Sequence, residues 1–157
     1  MAMSLLHNLK LRISPLRLQD ADFGELLFMY IPNAPERSYW EAQWRFPPTD
    51  TTVGIDLLGP ESGPVPEARS FYHALPARFA SLLKAARPEL DRVFRDWYDR
   101  PVADDLWSDV KLAGFGLEDP RARPVSWQMY FEATGKKWLG IVIPFEDDTP
   151  GTAVVDT

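Results

Sequence analysis

The clearest pattern of hydrophobic and polar positions lies near the C-terminal end of the chain, between Val125 and Thr157. Apolar and polar side chains alternate from Val125 to Thr134, which is the period of a β-strand with one buried face. A polar break containing Gly135 follows, and a second, mostly apolar run extends from Trp138 to Phe145. These two runs predict a β-hairpin whose second strand lies inside a sheet.

The odd-numbered side chains of the first strand are apolar, so this side of the hairpin is predicted to face the core. We expect Trp138 and Ile141 of the second strand to be core residues as well. Truncation of either side chain to alanine is then expected to cost several kcal/mol, because it leaves a cavity.

The first 58 residues contain further runs with the composition and alternation of strands. Proline-containing breaks separate several of these runs, and Pro15–Phe23 is predicted to be a connection. Together the runs predict an antiparallel meander of four strands. The predicted strands are Leu9–Ile13, Glu25–Ile31, Ser38–Phe46 and Thr51–Leu58.

The period changes to three or four residues after the loop Gly59–Pro66, which is typical of amphipathic helices. Pro76 lies inside the first apolar stripe and predicts a kink or two short helices, and Pro88 suits the first position of another helix. The stripes comprise Phe71, Leu75, Phe79, Leu82 and Ala86, then Leu90, Val93, Phe94, Trp97 and Tyr98.

A fifth strand is predicted from Trp107 to Leu117, where Gly114 and Gly116 indicate a bulge or a close backbone approach. The last strand is predicted over Thr152–Val155. The sequence therefore predicts an α+β fold with a mostly antiparallel sheet of about eight strands, in the order ββββ-αα-ββββ. The central helical block packs on one face, and residues 1–157 form a single globular domain.

The chain is acidic, with a formal net charge of -6 and a pI near 4.9. This charge disfavours nucleic-acid binding, which requires basic groups to neutralise phosphates. No apolar run approaches the ~20 residues that a membrane span requires, and the N-terminus lacks the pattern of a signal peptide. We expect a soluble cytoplasmic protein, or one that meets a basic partner.

The chain has no cysteine and two histidines, His7 and His73. Disulfides, zinc–thiolate sites and cysteine nucleophiles are therefore excluded. We find no glycine-rich phosphate loop, no nucleophile elbow and no HExxH pattern, and we expect no cofactor.

Two groups of acidic residues are candidate sites. Glu146, Asp147 and Asp148 could offer oxygen ligands to a hard cation, although their spacing departs from a calcium loop and a plain polar turn is the favoured interpretation. A second group could supply paired carboxylates for general acid–base catalysis, or could simply lie at strand ends. It comprises Asp104, Asp105, Asp109, Glu118 and Asp119.

Polar faces of two predicted strands are candidate binding surfaces. In Ser38–Phe46, Trp40, Trp44 and Phe46 share one face, which favours a core position over a ligand platform. Tyr39, Gln43 and Arg45 lie on the opposite face and are candidates for contact with a partner. In the C-terminal hairpin, Gln128, Tyr130 and Glu132 form a similar polar face, which is either solvated or a protein-binding surface.

These features favour a non-catalytic protein-binding module, one version of which is an immunity or antitoxin-like protein whose acidic surface neutralises a basic toxin. The alternative is a small-molecule-binding domain or enzyme with a cleft lined by aromatic and carboxylate side chains. The sequence identifies no particular partner or ligand, and the oligomeric state is not predicted.

Overall fold

The structure, a computed structural model, describes residues 15–135 and 137–157. Within these residues it contains nine strands and one α-helix, α1 (Pro66–Tyr98). Single 3₁₀ turns lie at Pro35–Arg37 and Leu106–Ser108. The strands are β1 (Arg17–Asp20), β2 (Gly24–Met29), β3 (Tyr39–Phe46), β4 (Thr51–Leu58), β5 (Val110–Leu117), β6 (Ser126–Ala133), β7 (Gly140–Glu146), β8 (Thr149–Pro150) and β9 (Val154–Asp156).

All nine described strands belong to one sheet, in the order β1 to β8, with β9 paired to β7. Neighbouring strands are antiparallel, except that β4 and β5 are parallel and pair at a single bridge, Gly54 to Gly114. A parallel pair needs a long crossover connection, and α1 provides it. The sheet therefore has two antiparallel halves, β1–β4 and β5–β9, which meet at the β4–β5 seam. The predicted α+β class with a mostly antiparallel sheet is confirmed.

The prediction of two helices is wrong, because α1 is one helix of 33 residues that passes through both Pro76 and Pro88. A proline inside a helix costs about 3 kcal/mol. Burial of one leucine or phenylalanine side chain stabilises the folded state by about 1.5–3 kcal/mol. The apolar stripe stays in phase through Pro88, so its burial outweighs the lost backbone bonds. The buried positions are Ala68, Tyr72, Leu75, Phe79, Leu82, Ala86, Leu90, Val93 and Phe94.

Several strand boundaries differ from the predicted ones. The predicted strand Leu9–Ile13 lies outside the described residues. The predicted connection Pro15–Phe23 contains β1. The side chains of β1 are mostly exposed, so the sequence shows no buried face there, and backbone pairing with β2 stabilises the strand. The predicted strand Trp107–Leu117 begins only at Val110, after a 3₁₀ turn.

The alternation in β3 and β6 is confirmed, since the apolar side chains of both strands lie in the core beneath α1. The Trp127 ring, for example, lies 5.4 Å from that of Phe71 on the helix. A β-bulge at Leu112 and Gly114 shifts the alternation of β5, so that both Leu112 and Phe115 are buried.

The C-terminal hairpin is also confirmed, and β7 pairs with β6 on one side and with β8 and β9 on the other. Ile141 is 1% exposed, as expected of a core residue. The prediction for Trp138 is wrong, because its side chain is 51% exposed. The alternation that buries Leu139, Ile141 and Ile143 places Trp138, an even-numbered residue, on the opposite side.

In the described part of the chain, no helix combines the length and the apolar character needed to cross a membrane.

Candidate functional site

A cleft with a volume of about 690 Å³ lies where β4 and β5 end, beyond the bridge between Gly54 and Gly114. Both strands run towards it, so it lies at the carboxyl ends of the one parallel pair. In open sheets with parallel strands, ligands commonly bind at such a position. We call it the Asp56 cleft. Its lining residues are Ile31, Glu36, Arg37, Tyr39, Asp56, Leu58, Leu117, Glu118, Asp119 and Arg121.

The side chain of Asp56 lies between the two parallel strands. Its Oδ1 accepts a hydrogen bond of 2.8 Å from the backbone N–H of Leu117 in β5. The same oxygen accepts a bond of 3.2 Å from the hydroxyl of Tyr72, a buried residue of α1. Asp56 thus connects β4, β5 and the helix at the seam.

Burial raises the pKa of the Asp56 carboxyl above its ordinary value, although the bonds from Leu117 and Tyr72 partly offset this effect. No lysine, arginine or histidine in residues 15–135 or 137–157 forms an ion pair with it. A partly buried carboxylate without a cationic partner is costly, because no opposite charge replaces the hydration that it loses on burial.

Two tyrosines on the open face, the face of the sheet turned away from α1, experience the charge of Asp56. Burial raises the pKa of Tyr39, and the charges of Glu41 and Asp56 raise it further. Burial likewise raises the pKa of Tyr130, with contributions from the charges of Asp56 and Glu118. Both tyrosines line one cleft together with Asp56.

Gly116 allows the Tyr130 ring to lie against the sheet. A Cβ atom at Gly116 would lie 2.5 Å from the Tyr130 hydroxyl. That hydroxyl donates a 2.6 Å hydrogen bond to Oε1 of Gln128, which holds the ring in place.

The Asp56 cleft contains more negative than positive side chains. Its four carboxylates are Glu36, Asp56, Glu118 and Asp119, whereas its cations are Arg37 and Arg121. Arg121 is already committed to Asp119, with Nε 2.9 Å from Oδ1, and this pairing lowers the pKa of the Asp119 carboxyl. The cleft therefore favours a positively charged group.

Two further clefts adjoin the first and extend it across the open face. One, of about 360 Å³, lies over Gly54 and Gly114 and shares Tyr39 and Asp56 with the first. The other, of about 400 Å³, lies beside β6 to β8 and shares Glu118. We call these three clefts together the open-face groove.

The structure brings four of the six predicted binding residues to this groove. Tyr39, Gln43 and Tyr130 line the cleft over Gly54, and Gln128 lines the one beside β8.

The other two predicted binding residues lie elsewhere on the sheet. Arg45 instead pairs with Asp50 at the β3–β4 turn, and Glu132 lies across from Lys111 and Gly140. Neither side chain is among the lining residues of the three clefts.

Two carboxylates of the acidic turn after β7 bind other parts of the chain. Asp147 has a positive φ of 50°, and its Oδ1 accepts a 2.9 Å bond from the N–H of Val125. Asp148 forms an ion pair with Arg78 of the helix. The described residues contain no group of three His, Cys, Asp or Glu side chains that could hold a metal ion.

The second acidic group is divided between the two ends of β5. Asp109 lies before β5 and binds Arg100, with Oδ1 2.8 Å from Nη2, whereas Glu118 and Asp119 lie after the same strand. At ~3.3 Å per residue, β5 places the two ends roughly 30 Å apart. Paired carboxylates of glycoside hydrolases lie within about 10 Å of each other.

Asp56, the central residue of the site, is not among the residues predicted from the sequence. One signal was available, because Asp56 is the only charged residue between Val53 and Leu58. Its position beside Leu117 follows from the parallel pairing, which local sequence patterns do not reveal.

Comparison of the chain with known protein families, with curated proteins and with solved structures finds no match.

Proposed function

We propose that this chain is a cytoplasmic, non-catalytic protein-binding module of the immunity or antitoxin type, which binds a basic protein on its open face. The observation that carries the proposal is the open-face groove and the carboxylate excess of its largest cleft. A positively charged partner surface would find complementary charge there, which favours both orientation and rate of association.

The distribution of polar and apolar groups along the groove supports a protein partner. The rings of Tyr39 and Tyr130 are exposed in part and offer contact area at low entropic cost. Gln43 and Gln128 add hydrogen-bonding groups beside them. Tyrosine with adaptable polar neighbours is typical of surfaces that recognise proteins.

The charge of the whole chain points the same way. A net charge of -6 attracts a basic protein over distances limited by the Debye length, about 8 Å at physiological salt. It repels nucleic acid and anionic membrane surfaces, which we therefore do not propose as partners.

A second candidate function is the binding of a small molecule in the Asp56 cleft. The volume of about 690 Å³ favours it, since ligand pockets commonly enclose about 300–1,000 Å³. The ligand would be cationic for the same electrostatic reason. The sequence predicts aromatic and carboxylate side chains for such a cleft, and of the lining residues four are carboxylates and only Tyr39 is aromatic.

To test the proposal, the immobilised chain is used to capture proteins from native lysate at low and moderate salt, and the captured protein is purified and titrated by calorimetry. We expect a basic protein whose affinity falls with salt. The variant Glu36→Lys/Glu118→Lys, altered at the exposed rim of the cleft, should bind at least tenfold more weakly.

The matched control is Asp104→Lys/Asp105→Lys, which changes the charge equally in an exposed loop outside the groove. It should bind the purified partner like the wild type. The proposal is wrong if no protein is captured at either salt, or if both double variants weaken binding to the same extent.

A further inference from the structure

We infer that the Asp56 cleft receives a single arginine side chain of the basic partner, an inference that rests on the proposed function. Oδ1 of Asp56 is occupied by Leu117 and Tyr72, but no cation of the described chain pairs with the carboxylate. An inserted guanidinium would supply that missing charge.

The walls of the cleft suit the aliphatic part of a long basic side chain. Ile31 and Leu58 are half-buried, and Leu117 is 7% exposed, so these apolar groups border the space above Asp56. A methylene stem packs on such walls while its charged end reaches the carboxylate.

The groups around the charged end favour arginine over lysine. Asp56 and Glu118 offer two carboxylates to the several N–H donors of a guanidinium, and the Tyr39 ring offers a face on which its plane can stack. The ammonium group of lysine is a compact, strongly hydrated charge that uses neither feature as well.

The arginine of this site comes from outside the described chain. Arg121 is held by Asp119, with Nε 2.9 Å from Oδ1. Arg37 is exposed at the rim and forms no ion pair within the described residues, although it lines the cleft. Asp56 is therefore open to a partner's side chain.

The test uses the full chain labelled with ¹⁵N and follows its amide signals by NMR. The probes are N-acetyl-arginine methylamide, the lysine equivalent, and the citrulline equivalent, which has the shape of arginine without its charge. We expect the arginine probe to shift the amides of Tyr39, Asp56 and Leu117 in a saturable manner. The lysine and citrulline probes should bind at least tenfold more weakly.

Two variants identify the site of binding. Asp56→Asn should weaken the arginine probe at least tenfold, whereas Asp105→Asn, with the same loss of charge in an exposed loop, should leave it unchanged. Leu58→Trp fills the cleft without altering its charge and should abolish binding. It also keeps the test decisive if Asp56→Asn fails to fold.

The inference is overturned if no saturable shift occurs at these amides, if lysine or citrulline binds as well as arginine, or if both Leu58→Trp and Asp56→Asn bind like the wild type. Failure of the probe, together with capture of a basic protein that depends on Glu36 and Glu118, would overturn this inference alone. Failure of capture in a lysate would instead overturn the proposed function.

Discussion

The Tyr72 hydroxyl donates a hydrogen bond of 3.2 Å to Oδ1 of Asp56, so the helix is bonded directly to the floor of the candidate site. Burial, together with the charge of Asp56, raises the pKa of Tyr72 well above its ordinary value. Tyr72 therefore remains a hydrogen-bond donor throughout the physiological range. One bond connects the hydrophobic core with the open face.

Replacement of Asp56 by asparagine should change how stability depends on pH. Burial raises the pKa of this carboxyl above 3.8, so the folded state retains a proton that the unfolded state loses. The free energy of unfolding of the wild type should thus fall as pH rises from 3.8 through the folded-state pKa. Asparagine keeps an acceptor for Leu117 and Tyr72 without this loss.

Urea unfolding of both proteins between pH 4 and pH 8 measures the effect. The stability of Asp56→Asn relative to the wild type should increase with pH over that window, whereas Asp105→Asn should show no such trend. A difference in stability that is independent of pH would mean that folding does not raise the pKa of the Asp56 carboxyl.

The bridge between Gly54 and Gly114 should tolerate a methyl group on one side only. A Cβ at Gly114 would lie 2.5 Å from the Gly54 carbonyl oxygen, whereas one at Gly54 would have no neighbour closer than 3.7 Å. We expect Gly114→Ala to cost at least ~2 kcal/mol through displacement of the backbone. Gly54→Ala serves as the control, and equal stability of the two variants in urea would contradict the geometry of the seam.

Truncation of Ile141 and truncation of Trp138 should lower the stability of the protein by different amounts. Ile141 is 1% exposed, so Ile141→Ala is expected to cost about 2–5 kcal/mol. Trp138 is 51% exposed, and Trp138→Ala should cost less than about 1 kcal/mol. Thermal unfolding of both variants checks this, and a larger loss at Trp138 would place its ring in the core.

Pro88→Ala should stabilise the protein. Pro88 is exposed inside α1 and lacks the N–H that would bond to the carbonyl of Lys84. Alanine restores this donor, and the helix propensity difference of about 3 kcal/mol is reduced by the greater freedom of the unfolded chain. We expect a net gain of about 1–2 kcal/mol in urea unfolding. A loss of stability would mean that the proline ring itself contributes to packing.

Local patterns predicted the elements that have one buried face. The alternation in Ser38–Phe46 and in Val125–Thr134 indicated β3 and β6 correctly, because burial of one face selects residues with a period of two. Pro88 predicts a helix boundary because its backbone cost is visible in the sequence, whereas the unbroken phase of the apolar stripe from Phe79 to Val93 favours the single helix observed. The prediction for Trp138 failed because a run that is apolar on both faces does not show which of its two faces is buried.

The candidate site was harder to predict, because its central contact joins residues that are 61 positions apart, Asp56 and Leu117. Tyr39 and Tyr130 could be identified as outward-facing from the alternation alone. Their closeness to Asp56 depends on the parallel pairing of β4 with β5, which a long helical crossover creates and which no local pattern specifies.

The β4–β5 seam has a consequence for the order in which parts of the sheet open. Each half contains hairpins between strands adjacent in sequence, whereas the seam has one bridge, at Gly54 and Gly114, and the side-chain bond to Leu117. Because so few hydrogen bonds cross the seam, we expect it to open more readily than the hairpins on either side of it. We expect the Leu117 amide to exchange with deuterium faster than the amides of Trp127 and Ile143, and slower exchange would make the seam the most stable part.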